Sequence, residues 1–85
     1  MQYVLALVIY SSTCTLNEIA TFICEPKAID YTDIIGTRDQ CEDHTKSDET
    51  KELINENYSK VWVVPHCETY TREVAQRIKY YSEGI

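Results

Sequence analysis

The sequence predicts an α/β fold, a small central sheet flanked by helices in the order β-α-β-α-β-α. Three observations carry this. Apolar runs of strand length begin near Tyr3, Ala28 and Lys60. Segments with helical spacing and capping residues alternate with them. Glycine is scarce, two in 85 residues, which argues against an all-β fold full of tight turns. The alternation implies a layered sheet with at least one right-handed parallel crossover. The length allows one domain, residues 1–85. A composition 44% hydrophobic and 26% charged is globular rather than disordered.

The first strand is expected over Met1 to Tyr10, where a continuous apolar run fits a strand covered on both faces. Ser11-Ser12-Thr13-Cys14 ends it. Thr15 and Glu18 then match a capping box, and Leu16, Ile19, Ala20 and Ile23 follow helical spacing up to Pro26. A strand over residues 19–24 is the competing reading. Ala28 to Ile35 is the second strand, stopped at Gly36. Asp39 to Ser47 reads as a polar loop. Ser47 or Asp48 caps a helix to about Tyr58, with Leu53, Ile54 and Tyr58 on its apolar face. Lys60 to Val64 is the third strand, halted by Pro65. Thr69 or Thr71 caps a last helix with a stripe of Val74, Ile78 and Tyr81, ending at Gly84.

The formal net charge is −6. A chain this acidic has no general attraction to nucleic acid, and an anionic membrane repels it. A basic protein surface is its natural electrostatic partner. The apolar run at the start is too short to span a bilayer, which takes about 20 residues. The first basic residue is Lys27, whereas a secretory leader begins with a basic region. The expected location is therefore cytoplasmic, or host cytoplasm for a viral chain. The four cysteines, Cys14, Cys24, Cys41 and Cys67, permit two disulfides in three connectivities, but in that compartment they are expected to be reduced, and several to be ordinary buried side chains.

Cys14 is the candidate catalytic residue. It falls where the first strand hands over to the first helix, and free backbone N–H groups there favour a thiolate. The stretch Val8-Ile9-Tyr10-Ser11-Ser12-Thr13-Cys14 resembles the first strand and active-site approach of glutaredoxins, within the thioredoxin-like class. Val64-Pro65 stands where that family has a Val-Pro whose proline is cis and packs near the active cysteine. Length and element order also match a minimal glutaredoxin. The resemblance implies a thiol-disulfide oxidoreductase. The family's second cysteine falls at Asn17 here, and its glycine pair for glutathione has no counterpart. Cys14 would then act as a monothiol, with Cys67 the conceivable resolving thiol.

Other chemistry is weakly signalled. Cys41, His44, His66 and Cys67 could supply four zinc ligands, but adjacent strand residues such as His66 and Cys67 point to opposite faces. No metal site and no cofactor are expected. Asp30 with Asp33, and Glu68 with Glu73, are carboxylate pairs that nothing in the sequence places in one cleft. Of the aromatic residues, Trp62 is expected in the core, while Tyr70, Tyr80 and Tyr81 cannot all be buried on one helical face.

The sharpest feature is the acidic middle. Asp39, Glu42, Asp43, Asp48, Glu49, Glu52 and Glu56 stand against Lys46 and Lys51 between residues 39 and 57, a local charge of −5. Concentrated negative charge steers association with basic surfaces and imitates nucleic-acid phosphates. Small viral or phage inhibitors of nucleic-acid-handling machines share this character. The functional expectation is an acidic protein-binding or inhibitory module that uses these seven acids and Tyr80. The alternative is the glutaredoxin-like monothiol protein.

Overall fold

Strand β1 (Tyr3–Ser11) is an inner strand of a four-stranded sheet in the order β3-β1-β2-β4, in a computed structural model that describes residues 1–80. Its residues Val4 to Ile9 are all buried, which is why the segment is apolar without alternation. Strands β2 (Ala28–Gly36) and β3 (Val61–Thr69) pair with it antiparallel, and β4 (Ile78–Tyr80) pairs with β2 in parallel. The sheet is therefore mixed: the three expected strands pair antiparallel, and the parallel pair is β2 with β4, whose residues were expected in the last helix. The described residues also form four helices: α1 (Leu16–Ala20), α2 (Arg38–Thr45), α3 (Asp48–Asn57) and α4 (Arg72–Ala75). Among the described residues the order departs from strict alternation by one extra helix and by the short strand β4.

Successive side chains of a strand point to opposite faces, so the register assigns each residue to a side. Val4, Ala6, Val8 and Tyr10 share one face with Ile29, Tyr31 and Ile35 of β2 and with Trp62, Val64, His66 and Glu68 of β3. This is the Trp62 face. Its core is Val4, Ala6, Tyr31 and Val74 of α4, with Tyr70 and Ile78 packed against them. Leu5, Leu7 and Ile9 belong to the opposite face with Val63, Pro65 and Cys67. Helix α2 covers that Cys67 face, joined to β3 by a Cys41–Cys67 disulfide.

Between Val4 and Ala6 the partners in β2 jump from Ile35 to Tyr31, so β2 carries two extra residues there. The Thr32 hydroxyl repairs the gap. It donates to the Leu5 carbonyl at 2.9 Å and accepts from the Ile34 N–H at 3.2 Å. A fully buried threonine is tolerated because both bonds are made.

Several expectations are corrected. Residues 38–45 form a helix, not a loop. A capping box starts it, the Thr37 hydroxyl accepting from Gln40 N–H and the Gln40 side chain accepting from Thr37 N–H. Cys41 is its only buried residue, so no apolar stripe announced it. Helix α1 has the expected Thr15–Glu18 capping box, whose bonds hold the Glu18 carboxyl below its usual range. It ends at Ala20 rather than Pro26, with Phe22 in the left-handed region at φ 60°. Strand β3 passes through Pro65 to Thr69. It is an edge strand, and a missing N–H is tolerated on the unpaired side. The last helix is one turn capped by Thr71, and Ile78 lies in β4 opposite Tyr31. Tyr81 and Gly84 fall outside the described residues. Ser47 caps α3 as expected.

Candidate functional site

Helices α2 and α3 carry all seven acidic candidates. Asp39, Glu42 and Asp43 lie on α2; Asp48, Glu49, Glu52 and Glu56 lie on α3; every one is exposed. The two helices are held firmly. The disulfide fixes α2 to β3, and the His44 carbonyl accepts from the Thr50 hydroxyl at 2.6 Å and from the Ser47 hydroxyl at 2.9 Å. Thr50 is fully buried at that junction. The acids thus sit on two helices tied to each other at the His44 junction and, through α2, to the sheet.

Helix stabilisation accounts for part of this charge. Asp39 on α2 and Asp48 and Glu49 on α3 occupy first turns, where the macrodipole favours an anion. The remaining four have no such role. Asp48, Glu52 and Glu56 follow one another at i,i+4, as do Asp39 and Asp43. Like charges at that spacing destabilise a helix by about 0.2–0.5 kcal/mol per pair. Arg38 offsets little of it. Its bridge to Glu42, at 3.2 Å, is the one ion pair on these helices among the described residues.

Cys14 does not stand free. Cys14 pairs with Cys24, Cα atoms 6.2 Å apart, and Cys41 pairs with Cys67. The expected reduced cysteines are thus replaced by two bonded pairs, with no free cysteine among the described residues. Cys67 faces Cys41, so it is not the resolving partner of Cys14. Cys14 is buried and sits one residue before the cap of a five-residue helix. Its carbonyl accepts from Trp62 Nε1 at 2.7 Å. The Val64–Pro65 peptide is trans, unlike the glutaredoxin pattern.

The zinc candidates are likewise divided. Cys41 and Cys67 are bonded to each other, and His66 lies on the opposite sheet face. Among the described residues no three His, Cys, Asp or Glu side chains are grouped as a metal site. The isolated carboxylates have structural partners. Asp30 accepts from the Tyr58 hydroxyl and from Lys79 Nζ at 3.3 Å. Burial, then the Asp30 bond, pushes the Tyr58 phenol up, and the same carboxylate pushes the Lys79 ammonium up. Glu68 accepts from Tyr31 at 2.9 Å, and the Arg77 guanidinium lies 5.5 Å from that ring. Burial and then Glu68 raise the Tyr31 phenol. Sequence spacing held no sign of these ties, since the partners are 28 to 49 residues apart.

The aromatic candidates also move. Tyr80 is half-buried, edge-on to Tyr58 at 6.2 Å, and so offers only part of its ring to a partner. Tyr70 is half-buried against the core. Trp62, expected inside, is exposed at 39%. Sequence reasoning missed a cavity beside α1 on the Trp62 face, lined by Val8, Tyr10, Phe22, Ile29 and Val64, with Trp62 next to it through its pairing with Tyr10. Among the described residues no helix is long and apolar enough to cross a membrane. No protein-family model, no curated protein and no solved structure matches the chain.

Proposed function

We propose that this chain is a small acidic module that binds, and thereby inhibits, a basic protein. The observation that carries the proposal is the exposure of all seven carboxylates on two adjacent, pinned helices. Such a surface accelerates encounter with a cationic patch and holds its geometry on contact. The narrower form, a viral or phage inhibitor of a nucleic-acid-handling protein, draws on the same phosphate-like charge. The thiol reading is weaker, because it needs Cys14 as a free nucleophile and Cys14 is buried and bonded to Cys24.

The bonded cysteine pairs favour an oxidising compartment over the cytoplasm, since disulfides persist in the former. A thiol count on chain from its native source tests this. Zero free thiols supports the oxidising location, and four restores the cytoplasmic one.

Affinity capture tests the function. Immobilised chain is compared with the Asp48→Lys/Glu49→Lys/Glu52→Lys variant and with Cys14→Ser. Each lysine exchange adds two charges, so three take the formal net charge from −6 to zero. The native chain and Cys14→Ser should capture the same basic protein, and the triple variant should lose it. Capture of one set by all three forms would refute the acidic-surface reading.

A further inference from the structure

We propose that the open part of the Trp62 face is a docking groove for an amphipathic helix of the basic partner. This rests on the binding reading above and adds a second contact, on the sheet face opposite α2. The face is only partly covered. Near Val4 and Ala6 it carries Val74 of α4, but near Val8 and Tyr10 its cover is α1, five residues long with none buried. A cavity of about 510 Å³ lies between α1 and the sheet. Apolar groups lining it face water, Phe22 at 89% and Val64 at 38% exposure; Trp62, at 39%, lies outside the lining but pairs with Tyr10, which belongs to it. A layered α/β sheet normally buries such a face under a helix. An exposed, concave apolar surface of this kind marks a binding site.

Two features of the groove select its occupant. The first is shape. An extended segment would add to the free edge of β3, but Pro65, in the middle of that strand, supplies no N–H and blunts strand addition. A helix laid on the sheet face needs no edge hydrogen bonds, only an apolar stripe. The second is charge. Among the residues lining the cavity, Glu25 and Glu68 are the charged ones, and no Lys or Arg is there. A bound helix therefore meets carboxylates and should carry Lys or Arg. A second copy would bring −6 against −6, and an anionic membrane is repelled. The groove wall is pre-formed. Cys24 lines it, and its disulfide to Cys14 ties the α1 segment to the sheet, where Cys14 also accepts the Trp62 hydrogen bond. Pre-forming the wall lowers the ordering cost of binding.

The test uses a synthetic helical peptide with leucines at i, i+3, i+4 and i+7 and lysines elsewhere, and a twin with serines for the leucines. Binding to the full chain is followed by peptide anisotropy and by the emission of Trp62, the only tryptophan. The leucine peptide should bind and shift Trp62 emission to shorter wavelength; the serine twin should not. Phe22→Asn and Val64→Thr keep the local backbone preferences. Together they should weaken the leucine peptide by about tenfold or more. The Asp48→Lys/Glu49→Lys/Glu52→Lys variant should retain it within about threefold. If the α3 exchanges abolish binding and the groove exchanges do not, the groove proposal falls while the acidic-surface function stands. Equal binding of both peptides, or no binding of either, also overturns the groove. So does a concentration-dependent dimer in sedimentation that Phe22→Asn dissolves, because it gives the groove to a second copy.

Discussion

Asp30 gathers residues that the sequence keeps far apart. It accepts from Tyr58 at the end of α3 and from Lys79 in β4, and so ties the last strand and the acidic helix to the sheet. Removing the hydroxyl in Tyr58→Phe should cost about 1.5 kcal/mol at neutral pH, the lower end for a bond to a charged group because the site is half-exposed. Urea titration measures this. The pH dependence has a definite sign. Tyr58, Tyr31 and Lys79 all have folded pKa values raised above their ordinary ones. The folded state then holds protons that the unfolded state loses above about pH 10. Stability from these groups is complete below that pH and falls as pH rises through the folded values. The gap between native and Tyr58→Phe chains should therefore narrow above about pH 10; a gap that widens there would contradict the Asp30 tie. None of this was legible beforehand. Asp30, Tyr58 and Lys79 share no local spacing, and only the pairing of Leu7 with Asp30 places that carboxylate on the Cys67 face. Trp62 failed for a related reason. Its strand was legible, but its exposure follows from that strand lying at the sheet's edge.

The elements were legible wherever a cap and an apolar stripe agreed. Ser47 with Leu53 and Ile54 marked α3, and the Thr15–Glu18 box marked the start of α1. Helix α2 lacks a stripe because one cysteine does its anchoring. Its capping box at Thr37 and Gln40 was the usable sign, and Thr37→Ala should cost about 1 kcal/mol, read by thermal melting. Pro65 misled because a proline ends an inner strand but not the free side of an edge. Disulfides do for these elements what long stripes do elsewhere. On chain entropy alone, the 26-residue separation of Cys41 and Cys67 predicts about 3.5 kcal/mol, and the 10-residue separation of Cys14 and Cys24 about 2.7 kcal/mol. Denaturant titrations of the two double serine variants should therefore rank Cys41/Cys67 as the larger loss. The reverse ranking would mean that α2 holds its place without its cross-link.

At the scale of the whole molecule, two unlike surfaces lie on opposite sides of one small sheet. One is acidic; the other is apolar, with Glu25 and Glu68 among its lining. The acidic one was legible because charge is counted directly from the sequence. The apolar one was not, because it arises from which residues of β1 and β3 share a face and from what fails to cover them. The division predicts separable roles, with the acids setting the rate of encounter and the groove the lifetime of the complex. The measurement closest to the central claim is the association rate of the captured basic protein with native chain and with the Asp48→Lys/Glu49→Lys/Glu52→Lys variant, from about 0.05 M to about 0.5 M salt. The native rate should fall by about tenfold or more across that range, and the variant should be slow and nearly flat. Equal rates with the same salt dependence for both chains would contradict the acidic surface as the site of recognition.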